Sequence, residues 1–117
     1  MITGELKQLI EKNPITLSTI NKDNAPHTIY VACAKVINEC EILITDNYME
    51  KTNKNILTNK NVSLSILVGD AGYELIGESN YFDKGNYLDQ VKNILENKNE
   101  PCKGAIVVLI KEIVKMG

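Results

Sequence analysis

The sequence contains no arginine, so its 13 basic residues are all lysines, and 15 acidic residues leave a net charge of −2. Proteins that bind nucleic acid carry a dense basic face, often with arginine reaching into the grooves. A nucleic-acid partner is therefore not expected. Histidine occurs once, as His27. No cysteine, serine or carboxylate is placed beside it by sequence to complete a nucleophilic triad, so His27 is read as a surface residue after a turn proline. Cys33, Cys40 and Cys102 are odd in number, widely spaced and without a CxxC pair. That pattern fits reduced thiols in the cytoplasm better than a disulfide framework or a zinc site. The longest apolar run, Ala105 to Ile110, is far too short to span a bilayer. The opening Met1-Ile2-Thr3-Gly4-Glu5-Leu6-Lys7 lacks the basic-then-apolar order of a signal peptide. No repeat and no low-complexity segment interrupts the chain.

What is present is an ordinary globular composition, 44% hydrophobic and 24% charged over 117 residues, which suits one domain over 1–117. Leu6, Leu9 and Ile10 recur at helical spacing between Thr3, a suitable N-cap, and Lys12, with Pro14 closing the segment. Ile15-Thr16-Leu17-Ser18-Thr19-Ile20 alternates as a half-buried strand does. Turn chemistry follows at Asn21 to Pro26, then strand signals from His27 through Ile37, a turn at Asn38 to Glu41, and a short strand, Ile42 to Thr45. Asn47 with Glu50 three places on has the form of a capping box, opening a helix through Met49, Thr52, Ile56 and Leu57. Val62 to Val68 and Tyr73 to Phe82, bent at Gly77, read as strands. Asp83 is placed to cap a helix over Tyr87, Leu88, Val91, Ile94 and Leu95, and Ala105 to about Val114 reads as the last strand. Strands joined by short turns predict a mainly β (α+β) domain, a six-stranded antiparallel sheet curling into a small barrel with flanking helices.

The segment from Ile42 to Ile56 carries the most chemistry. A buried strand leads into Thr45-Asp46-Asn47 and then a helix start bearing Lys51 and Thr52, where an ammonium and a hydroxyl could hold an anion. A capped helix with a solvated lysine is the plain alternative. Thr45-Asp46-Asn47-Tyr48-Met49-Glu50-Lys51-Thr52-Asn53-Lys54-Asn55-Ile56 resembles the strand-to-helix phosphate motif of the FMN-binding split β-barrels of the pyridoxamine 5′-phosphate oxidase-like family. Asn24-Ala25-Pro26-His27-Thr28-Ile29-Tyr30-Val31 resembles that family's second strand. Gly72 to Ser79 resembles its Y-x-x-x-G-x-A/S strand, and Lys103 to Val108 its closing strand. The matches run in order from about Ile15 to Val114.

The resemblance implies a six-stranded split β-barrel and an FMN cofactor whose phosphate lies at Lys51 and Thr52, with Asn55 beside them. Ile29, Tyr30 and Val31, together with Thr45, Asp46 and Asn47, are the positions it places along the flavin. It also implies a homodimer, since a small barrel fills its own interior and leaves a flavin only an external cleft. The function it suggests is electron transfer or flavin-dependent oxidoreduction with a redox partner or small-molecule substrate. Two other readings accompany it: a pyridoxamine 5′-phosphate oxidase and a non-catalytic flavin-binding or sensing module. The oxidases use basic residues near the C-terminus, notably arginine and histidine, where this chain offers Lys103, Lys111 and Lys115. Relatives of the family also bind deazaflavin or haem. The absence of extra basic residues, arginine above all, favours FMN, with its single phosphate, over ligands with long anionic tails.

Overall fold

The computed structural model describes residues 1–116. Its elements are α1 (Gly4–Lys12), β1 (Ile15–Ile20), β2 (Pro26–Val31), β3 (Ala34–Asn38), β4 (Glu41–Asp46), α2 (Thr52–Thr58), β5 (Asn61–Val68), β6 (Ala71–Phe82), α3 (Asn86–Lys92) and β7 (Gly104–Met116), with a 3₁₀ turn at Leu95–Asn97. The strands form one antiparallel sheet in the order β2-β1-β5-β6-β7-β4-β3, curled but not closed, as a split barrel requires. The sheet has seven strands rather than the expected six. The segment His27 to Ile37 divides at Ala32-Cys33: β2 pairs with β1 and β3 pairs with β4, at opposite edges of the sheet. A continuous β pattern in the sequence conceals such a change of partner.

Alternation builds the interior. Ile15, Leu17, Leu64, Ile66, Leu75 and Ile106 turn inward, and α1 adds Leu6 and Ile10. Thr3 caps α1, its hydroxyl accepting from the Leu6 N–H at 3.1 Å. On β4, Ile42 and Ile44 face this core while Leu43 faces a second cluster with Leu88, Val91, Ala105 and Val107 under α3. β4 is thus buried on both faces. β6 and β7 carry a register shift at Ile76/Gly77, the bend expected there.

Two helix starts differ from expectation. α2 begins at Thr52, and Lys51, in the N-cap position, makes no side-chain cap. The Asn47 carboxamide that was to cap it accepts instead from the Cys102 N–H at 2.9 Å. The Asp46 carboxylate accepts from the Met49 N–H at 2.8 Å and turns the chain before the helix. α3 is preceded by Gly85 (φ +90°) in place of Asp83, and ends at Lys92, so Ile94 and Leu95 lie outside it. In both cases a tertiary partner or a backbone turn takes the role that local sequence assigned to a side chain.

Candidate functional site

The seam where the barrel stays open holds a cleft of about 710 Å³. One wall is the edge strand β2 with Ile29 and Tyr30, continuing into Ala32 and Cys33. The other is the end of β4 and the loop into α2, with Thr45, Asn47, Met49, Lys51 and Thr52. Glu96, Asn97 and Glu100 border it from the segment after α3. Its volume and mixed apolar and polar lining are those of a small-molecule site.

The β4 wall is built from buried polar groups that satisfy one another. Thr45 is buried, and its hydroxyl accepts from the Asn97 amide at 2.8 Å, while the same amide donates to the Val91 carbonyl at 2.8 Å. Asp46 is fully buried and accepts from the Tyr81 hydroxyl at 2.5 Å, with the Lys103 ammonium 3.9 Å away. Lys103 also donates to the Met49 carbonyl, and its N–H to the Asp46 carbonyl at 3.0 Å. Gly104 makes this possible. A Cβ there would stand 2.0 Å from the Tyr81 hydroxyl, so only glycine lets the phenol reach Asp46. Burial first, and then the hydrogen bond to Asp46, push the Tyr81 phenol well above its ordinary value.

Cys33 lies at the cleft wall, and burial raises its thiol, which keeps it protonated and weakly nucleophilic. At the rim, the Tyr48 hydroxyl donates to Glu100 at 2.8 Å, a bond that raises the phenol. The Glu96 carboxyl is held low by its own backbone N–H and by Lys35, whose ammonium is 3.0 Å away.

Six of the nine site positions taken from the sequence line this cleft: Ile29, Tyr30, Thr45, Asn47, Lys51 and Thr52. Three side chains turn elsewhere. Val31 points into the barrel core, because the alternation of β2 brings it inward opposite Ile15. The Asp46 carboxylate is consumed by Tyr81 and Met49. The Asn55 amide donates to the Thr19 hydroxyl at 3.0 Å and pins α2 to β1. Sequence reasoning passed over Cys33, Met49, Glu96, Asn97 and Glu100. It also set His27 aside, yet that ring lines the cleft. Nothing local marks Asn97 or Glu100, which arrive through the packing of residues 93–103 against β4.

A second cavity, about 510 Å³, adjoins the first and shares His27 and Lys51 as walls. Lys22, Asp23, Lys54 and Asn55 also line it. Among the described residues no group of three or more histidine, cysteine, aspartate or glutamate side chains could hold a metal ion. No helix among them is long and apolar enough to cross a membrane.

The profile of the pyridoxamine 5′-phosphate oxidase family matches residues 2–115. An uncharacterized protein of Methanocaldococcus jannaschii is 33% identical over 121 residues, covering 98% of this chain and 80% of that protein. Among solved structures, HupZ of Group A Streptococcus superposes with a TM-score of 0.91 at 19% identity, covering 99% of this chain and 94% of that one. An FMN-binding protein of Syntrophomonas wolfei superposes with a TM-score of 0.79 at 20% identity, covering 95% and 83%. At these identities the two structures establish a common fold.

Proposed function

The chain belongs to the pyridoxamine 5′-phosphate oxidase family, and on that footing we propose that it is a cytoplasmic FMN-binding flavoprotein that exchanges electrons with a redox partner or small-molecule substrate. The observation that carries this reading is the seam cleft, lined by the apolar Ile29, Tyr30 and Met49 and by Lys51, which is in no ion pair among the described residues. An isoalloxazine would rest against the apolar side chains, and Lys51 would take the phosphate as a charge-assisted donor. The Thr52 hydroxyl and the backbone at the start of α2 lie beside it. Thr45 and Asn47, fixed by Asn97 and the Cys102 N–H, would present an immobile wall to the ring system. Bound flavin supplies the redox chemistry, and the chain supplies binding, orientation and electrostatics.

The homodimer is part of the same proposal. Tyr30 and Leu67 are 75% and 72% exposed and share a hollow with Met116 on the outside of the sheet. Such apolar residues on an edge strand and its neighbours call for a cover, and a second copy placed there would border the cleft through Tyr30. The three free thiols, Cys33, Cys40 and Cys102, suit a reducing compartment.

The structure offers the oxidase reading little support. Of the three C-terminal lysines, Lys103 is engaged by Met49 and Asp46, and Lys111 by Glu78, which leaves Lys115. Anaerobic mixing of the FMN form with pyridoxamine 5′-phosphate should leave the flavin oxidised; turnover near about 1 per second would restore the oxidase. The primary test is cofactor loading. Purified protein given FMN should take up about one flavin per chain with quenched fluorescence. No FMN uptake at micromolar concentration, with haem or a deazaflavin bound instead, would overturn the cofactor assignment.

A further inference from the structure

We propose that the groove continues past the flavin phosphate and that the adjoining cavity takes a second phosphate, beyond the one FMN carries. This rests on reading the larger cleft as a flavin site. The two cavities adjoin at His27 and Lys51, so a ligand reaching past these two side chains would occupy both. Their charges are opposite. The larger cleft has Glu50, Glu96 and Glu100 against the single ammonium of Lys51, whereas the smaller has Lys22, Lys51 and Lys54 against the single carboxylate of Asp23.

Among the described residues none of these three lysines belongs to an ion pair; the pairs are Lys35–Glu96, Lys103–Asp46 and Lys111–Glu78. Three lysines against one carboxylate give this cavity an excess of positive charge, which an anion bound there would offset. They also come from separate parts of the fold. Lys22 sits on the β1–β2 turn, where the Asn21 carboxamide accepts from the N–H groups of Asp23 at 2.8 Å and Ala25 at 3.0 Å. Lys51 and Lys54 come from the start of α2, which the Asn55–Thr19 bond holds against β1. The sequence, with no basic run here, gave no sign of this cluster.

Space separates this cavity from a simple phosphate cradle. At about 510 Å³ it is within the size range of a whole ligand site. The second phosphate has two possible sources: the far half of a longer flavin, or a separate phosphorylated molecule bound beside FMN. Both present the same chemistry to Lys22 and Lys54.

The test uses the full chain, FMN, FAD and inorganic pyrophosphate, with the double variant Lys22→Ala/Lys54→Ala. Both residues are exposed, so the variant should fold, which circular dichroism checks. If the source is a longer flavin, FAD should bind about ten-fold or more tightly than FMN, and the double variant should abolish that difference while leaving FMN affinity nearly unchanged. If it is a separate molecule, FMN-loaded protein should bind pyrophosphate, and the double variant should lose that binding. Equal affinity for FMN and FAD, together with pyrophosphate binding that is absent or indifferent to the variant, overturns the proposal. Should FMN itself fail to bind, the flavin reading falls alone. Pyrophosphate titration of the ligand-free protein then decides the basic cavity by the same criterion.

Discussion

The two walls of the seam cleft are built in opposite ways. On the β4 side Thr45, Asp46 and Asn97 are at most 4% exposed, and each is hydrogen-bonded to a partner far away in sequence. On the β2 side Pro26, Thr28, Tyr30 and Ala32 are exposed, and the strand has a neighbour on one edge only. A buried polar network is costly to disturb because each orphaned group loses both its partner and water. An open edge strand costs little to alter but invites association. In the function proposed above the two walls divide the labour: the β4 wall would fix ligand geometry, and the β2 wall would leave room for a second subunit.

The sharpest way to break this contrast is Gly104→Ala. The added methyl cannot coexist with the Tyr81–Asp46 bond, so stability measured by urea unfolding should fall on the order of 2–4 kcal/mol. A loss near zero would mean that the β4 wall yields as easily as β2. Next in size is Lys51→Ala, which should weaken FMN binding roughly ten- to hundred-fold while leaving riboflavin, which has no phosphate, much less affected. Equal losses for the two ligands would show Lys51 acting through folding rather than through the phosphate. Thr52→Val should cost less, since a neutral hydroxyl is the weaker donor.

Tyr30→Lys probes the other wall. It should shift the protein from dimer to monomer in sedimentation at micromolar concentration, with little change in the far-UV spectrum. A variant as dimeric as the parent would place the subunit contact elsewhere. Tyr81→Phe removes the Tyr81–Asp46 bond without adding a methyl and leaves the buried Asp46 carboxylate one donor short, so it should cost on the order of 1–3 kcal/mol near neutral pH, and its distinguishing mark is pH dependence. Because the folded state raises this phenol, it keeps the proton where the unfolded chain, titrating near 10, gives it up. The stabilisation is therefore complete below that pH and declines as pH rises above it. The phenylalanine variant should lose stability less steeply in the alkaline range, and identical slopes for the two proteins would remove Tyr81 from the account.

Much of the fold was legible because it depends on short-range pattern. The alternation in Ile15–Ile20 and Val62–Val68, the Thr3 cap and the bend at Gly77 all follow from side-chain period and local backbone preference. The position of Lys51 and Thr52 at a helix start beside the cleft was legible too, since a strand followed by a helix start is a local arrangement. The division of His27 to Ile37 into two strands was not, because pairing partners are set by the whole sheet. The expected Asn47–Glu50 box failed for the same reason: the Cys102 N–H, 55 residues away, competes for the Asn47 oxygen and wins.

By itself, then, the sequence determined a β-rich chain with no arginine, the order of its elements, and a strand-to-helix segment bearing Lys51 and Thr52 at the helix start. The tertiary structure alone decided which polar side chains are consumed in holding the walls, as Asp46 and Asn55 are, and which remain free at a cavity. It also set Lys22 across from Lys51 and Lys54, 29 and 32 positions away in sequence. The physical reason is that hydrogen-bond competition and electrostatic clustering depend on distances in space, and only closure of the sheet fixes those distances.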